Sequence, residues 1–139
     1  MSRQFRTTQN RIPTIVALML TGAIASGSAY AADPCKGVEQ TITDAKKREY
    51  SQLVAKSMTG KVKPSQVGLS NVLESGSWSA VYASTPVADD GVFFFQNKKN
   101  KDVWGGWADP SERPELIDWA KQLGAPDDLA RCFAQIVTE

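Results

Sequence analysis

The 139-residue chain contains no histidine. That absence removes Ser-His-Asp and Cys-His catalysis, histidine-based zinc sites and imidazole proton transfer. It also lacks an S-x-x-K pair and a G-x-S-x-G elbow, so the usual settings of a serine nucleophile are missing. No Walker loop and no G-x-G-x-x-G occurs, which leaves nothing to cradle a nucleotide phosphate. Charge of one sign is not in excess: 16 basic residues face 15 acidic ones. A nucleic-acid binder normally carries a strong positive surplus, so no nucleic-acid partner is expected. Long apolar runs are missing too. Residues 12–25, "IPTIVALMLTGAIA", fall short of the roughly 20 residues a bilayer crossing needs, and no second run follows. No stable membrane anchor is expected, and no cofactor or metal.

What is present begins with an address. Arg3, Arg6 and Arg11 form a basic head without acidic residues, the short apolar run follows, and Ala29 and Ala31 occupy the small positions of an A-x-A site. This is the pattern of a secretory signal peptide, read here as residues 1–31 with cleavage after Ala31. The head carries no paired arginines, and Cys35 lies too far in to be a lipid-anchored first residue. The expected location is the periplasm or the exterior of a bacterial cell. Residues 32–139 form one exported domain, in which 13 basic residues face 15 acidic ones. Its two cysteines, Cys35 and Cys132, sit near its ends. In an oxidising compartment such a pair is expected to bridge. Closing a loop of about 98 residues stabilises a fold by roughly 4–5 kcal/mol in the chain-entropy model.

Along the domain, hydrophobic period separates the elements. Val38, Ile42, Ala45, Leu53, Val54 and Met58 recur at helical spacing, which predicts a helix over 38–58 with Asp33-Pro34 at its approach. Gly60 and Pro64 bar its continuation. The period then becomes two. "SQVGLSNVLE", "WSAVYAS", "VFFFQ" and "DVWGGWA" predict four short strands in an antiparallel meander. Trp78, Ala80 and Tyr82 share one face of the second strand, and Ser79, Val81 and Ala83 the other. "TPVADDG" reads as a loop whose turn signal is Asp89-Asp90-Gly91. Two helices close the chain. The first starts at Pro114 and ends at Gly124. The second carries Leu129, Cys132, Phe133, Ile136 and Val137 as a continuous apolar stripe, with Asp127 and Asp128 in its first turn. The predicted class is α+β: an N-terminal helix, a four-stranded antiparallel meander, two C-terminal helices on one face of the sheet, and one disulfide. Such sheets often leave the second face partly open.

The stretch "GVFFFQNKKNKDVWGGWADP", residues 91–110, bears on that second face. Phe93 and Phe95 must share a side, with Phe94 and Val92 opposite, and Trp104 points away from Val103. Without a bulge, Trp107 joins the Val103 side. Both faces of the hairpin therefore carry large apolar groups. Either the rings are packing, with indoles covering bare glycine backbone, or one face is a contact surface. The loop is read as Lys99-Asn100 or about five residues, so the register stays open. On the contact reading, Phe94, Trp104 and Trp107 bind a protein partner of inhibitor or immunity type, with Lys98, Lys99 and Lys101 as a charged rim. A self-paired aromatic face would give a homodimer. A carbohydrate or cell-wall binder would instead use Trp78, Trp104 and Trp107 as a stacking platform. A carboxylate-dependent hydrolase would draw on Asp89, Asp90, Asp102 and Asp109, which in this reading lie at strand ends. The same acids offer oxygen ligands of the kind calcium prefers. Turns attract aspartate for local reasons as well, and the expectation is a binding protein, not an enzyme.

Overall fold

The computed structural model describes residues 32–139, so the signal-peptide reading of residues 1–31 lies outside the described residues. The order is α1 (Asp44–Ser57), a 3-10 turn (Pro64–Gln66), β1 (Gly68–Ser75), β2 (Trp78–Thr85), β3 (Ala88–Gln96), β4 (Lys99–Gly105), a second 3-10 turn (Pro110–Glu112), α2 (Arg113–Leu123) and α3 (Asp127–Val137). The four strands form one antiparallel meander, β1-β2-β3-β4.

The first helix is shorter than its apolar spacing predicts. Asp33 accepts a hydrogen bond from the Cys35 N–H at 2.9 Å, and Gly37 takes φ 86°. That closes a turn instead of capping a helix, because a left-handed residue interrupts the α conformation. Residue 39 then lies extended and exchanges backbone hydrogen bonds with Glu74 on the outer edge of β1. Helix α1 starts only at Asp44, where the Thr43 hydroxyl accepts from the Lys46 N–H.

The sheet has two dry faces. On one, Leu73, Trp78, Ala80, Tyr82, Val92 and Phe94 meet α2 and α3 through Leu116, Ala120, Leu129 and Phe133. On the other, Val72, Val81, Ala83, Phe93 and Phe95 meet α1 through Tyr50 and Val54. The α2/α3 pair lies on one face as expected, but the second face is not left open: α1 covers it. The reason is in β2 and β3. With Val81, Phe93 and Phe95 on the far side, an uncovered face would leave several large side chains wet, at roughly 1.5–3 kcal/mol each. The alternation itself agrees with the reading from period two throughout β2 and β3.

Cys132, in the buried stripe of α3, is bonded to Cys35, with their Cα atoms 4.3 Å apart. The bridge ties the N-terminal turn to α3. Nearby, the Ser75 hydroxyl donates to the Asp128 carboxylate at 2.8 Å, and the Tyr82 hydroxyl donates to the Phe133 carbonyl at 3.0 Å. Two strands are thus pinned to the same helix. Burial, with a smaller push from the Glu139 carboxylate, raises the Tyr82 pKa, so this hydroxyl stays protonated. Gly124 ends α2 at φ 104°, as its position predicts.

Because neighbouring hairpin residues sit in different cores, truncating either should cost similarly. Phe94→Ala and Phe95→Ala are each expected to lower unfolding free energy by about 3–5 kcal/mol, whereas Trp107→Ala should stay within about 0.5 kcal/mol. Urea titration followed by circular dichroism measures all three. A neutral Phe95→Ala would contradict the cover that α1 provides.

Candidate functional site

The β3–β4 register decides where each ring of the hairpin points. Asn97 and Lys98 take φ 50° and 63°. Both central residues are left-handed, which makes a two-residue type I′ turn. The turn is therefore Asn97-Lys98, one of the shortest loops available, and not Lys99-Asn100. Pairing begins at Gln96–Lys99 and continues Phe95–Asn100, then shifts so that Phe94 opposes Asp102. Lys101 is the extra residue of a bulge. A one-residue shift exchanges the faces of every later side chain. Here it turns Trp104 toward α2 and α3, opposite Val92, instead of toward α1.

Phe94 is fully buried, with ring centroids 4.9 Å from Phe133 and 5.4 Å from Trp119, both nearly perpendicular. It is a core residue, and the expectation of a surface Phe94 is corrected: α2 and α3 close over it. Trp104 is half-buried and leans on Trp119 at 5.2 Å, so it forms a seam between β4 and α2. Trp78 is buried at the opposite end of β2, against Gly124. The three tryptophans proposed as a platform therefore do not share a surface. Trp107 differs from all of them. Gly106, at φ 86°, turns the chain out of the sheet, and the Ala108 N–H reaches the Val137 carbonyl at 3.1 Å. The indole between them is left 71% exposed.

The lysine rim is not where the rings are. Lys98 Nζ is 2.9 Å from Glu49, donates to the Tyr50 hydroxyl at 3.2 Å, and lies 4.7 Å from the centre of that ring. Tyr50 in turn donates to Glu74 at 2.9 Å, and Glu74 pairs with Lys46. This chain of partners fastens the hairpin turn to α1 and β1. Lys99 and Lys101 are exposed at the turn end of β4. Trp107 follows the other end, about 20 Å away along the strand.

The four aspartates are also dispersed. Asp102 accepts from the Val103 N–H, and Asp109 accepts from the N–H and hydroxyl of Ser111, which holds its carboxyl below the usual range. The turn between β2 and β3 is at Pro86-Val87, so Asp89 and Asp90 belong to β3, not to a loop. As strand neighbours they point to opposite faces. Among the described residues, no three acidic or cysteine side chains gather where a metal ion could sit.

One end of the sheet does collect features. Val87, Val103 and Trp107 are the exposed large hydrophobic residues of the described chain, and all three lie at or beside the start of β3 and the exit of β4. On the α2/α3 side, Tyr82, Val92, Val137, Trp107 and Asp90 line a cavity of about 110 Å³. On the α1 side, Met58, Phe93, Val103, Asp89 and Lys61 line an open groove of about 610 Å³. Gly91 borders both, and a Cβ there would crowd the Trp104 carbonyl oxygen at 3.0 Å and the Val103 side chain at 3.2 Å. Sequence reasoning missed Val87, Val103 and this juxtaposition; Gly91 and the Gly105-Gly106 pair were its available signal. Comparison with protein-family models, with curated proteins and with solved structures finds no match to this chain.

Burial raises the Glu74 carboxyl, but Lys46 and Tyr50 outweigh it and leave the pKa below its ordinary value of 4.5. A depressed carboxylate stabilises the fold above the unfolded value and loses that contribution as pH falls through the folded one. Glu74→Gln should therefore flatten the decline in stability below pH 4.5. Denaturant midpoints of both proteins between neutral and acid pH measure it, and parallel declines would remove Glu74 from the account.

Proposed function

We propose that this is a small exported binding domain that engages another protein, and that its contact is centred on Trp107. The observation that carries the proposal is the 71% exposure of that indole beside a lined cavity. Tryptophan is among the side chains most often found at the energetic centre of protein interfaces, where a pocket and an apolar surround exclude water. Val103 and Val87 supply apolar surface at the same end of the sheet. The export signal and the disulfide suit a domain that works outside the cytoplasm. The contact lies at one end of the sheet, since both of its faces are occupied by helices.

A protein is favoured over a glycan for a geometric reason. A sugar-stacking platform draws on several coplanar rings, and Trp78 and Trp104 are committed to packing. The test is site-directed photocrosslinking in the periplasm of a producing bacterium. Benzoylphenylalanine at 107 should give a discrete adduct of higher mass, and the same group at Gln122, on exposed α2, should not. Trp107→Ala should weaken binding to the protein so identified by 30-fold or more, about 2 kcal/mol. An adduct of twice the chain mass would mean a homodimer, and retention on insoluble glycan without any adduct would favour a carbohydrate. The product is expected to begin at Ala32 with Cys35 and Cys132 oxidised, which intact mass before and after alkylation measures.

A further inference from the structure

The cavity beside Trp107 is too small for a drug-sized ligand. At about 110 Å³ it lies well below the roughly 300 Å³ at which pockets begin to hold drug-sized ligands. It is of the order of one side chain. Its lining includes the apolar surfaces of Tyr82, Val92, Val137 and Trp107, with Asp90 contributing the charged group and no lysine or arginine among its walls. Asp89 lies on the other side of the same strand end, in the neighbouring groove. Glu139 is near enough to Tyr82 to act on its hydroxyl. The wall of the cavity is therefore acidic; the cations nearby are Lys61, in the adjoining groove that Asp90 also borders, and Arg113, whose Nε donates to the Thr138 hydroxyl next to Val137. The basic residues of the hairpin turn are about 20 Å away along the strand and do not neutralise it.

We propose that this cavity takes a single aliphatic side chain of the partner, and that a cationic residue next to that side chain pairs with Asp90. The inference rests on the Trp107 reading above and narrows its partner to a segment that combines leucine-like and arginine-like chemistry. The occupant inserts against the exposed indole, which loses water on binding. Its guanidinium meets a carboxylate that has no ion-pair partner among the described residues. Arginine is favoured over lysine at such a site because its planar fork binds a carboxylate in a bidentate manner. An acidic neighbour would meet Asp90 and Asp89 and be repelled.

The experiment uses the oxidised 32–139 domain, isotope-labelled, and two capped dipeptides as probes: acetyl-Leu-Arg-amide and acetyl-Leu-Glu-amide. The Leu-Arg probe should saturate shifts of the Trp107 indole N–H and of the Gly91 and Gly106 amides at millimolar concentration. The Leu-Glu probe should bind at least fivefold more weakly. Asp90→Asn should remove that preference, with the Leu-Glu affinity unchanged or improved, and it is an exposed position where folding is easily verified. Adding salt should reduce the difference between the probes. Equal affinities for the two probes, or no shift at these three sites up to 20-fold above a millimolar concentration, would overturn the inference. The photocrosslink at 107 is independent of charge. An adduct there with no charge preference would leave the protein-contact reading standing and remove only the Leu-Arg chemistry.

Discussion

The architecture depends on a sheet that is apolar on both faces. Val92, Phe93, Phe94 and Phe95 are consecutive, and all four are buried. Period-two geometry sends them alternately up and down, so neither face can be left to water. Two helical layers follow from that one constraint. Helix α1 covers Phe93 and Phe95, while α2 and α3 cover Val92 and Phe94. The N-terminal turn is then held against α3 by the disulfide, and residue 39 occupies the outer edge of β1. One sheet edge is thereby partly closed. The other, β4, is short, charged and bulged, the devices by which exposed edges avoid pairing with other chains.

These commitments decide what surface is left for binding. Phe94, Trp78 and Trp104 take part in the packing between sheet and helices, and Lys98 is bound to Glu49 and Tyr50. The apolar residues that remain outward lie toward the end of β4 farthest from the hairpin turn. Trp107 is exposed because Gly106 lifts the chain out of the sheet, whereas Val103, still paired with Phe93, borders the open groove beside Met58 at the end of α1. Asp90 stands among them because β3 extends to Ala88, past the Gly91–Gly105 pair at which its pairing with β4 ends.

Much of the fold was legible in the residues. The stripe in α3, the stop at Gly124, the alternation of β2 and β3 and the bridged cysteines follow from local rules of period, capping and compartment. The helix start was not, because apolar spacing over residues 38–43 fits both an amphipathic helix and an extended edge segment. The left-handed turn at Gly37 and the pairing of residue 39 with Glu74 choose between them. The candidate site was legible in type but not in place. An aromatic, glycine-bearing hairpin marked the region, yet the choice among its rings required the register.

The sequence by itself therefore determined the element types, the two-sidedness of the strands and the missing histidine chemistry, since these depend on composition and near-neighbour spacing. Tertiary structure alone decided which helix covers which face, that Phe94 is core, and that Trp107 is outside. The physical reasons are tertiary contacts and backbone turns: α2 and α3 close over Phe94, Gly106 lifts Trp107 out of the sheet, and the single extra residue at Lys101 turns Trp104 toward the helices. A bulge leaves no mark in hydrophobic period, but it reverses the facing of every side chain after it, and pairing partners distant in the chain set where it falls.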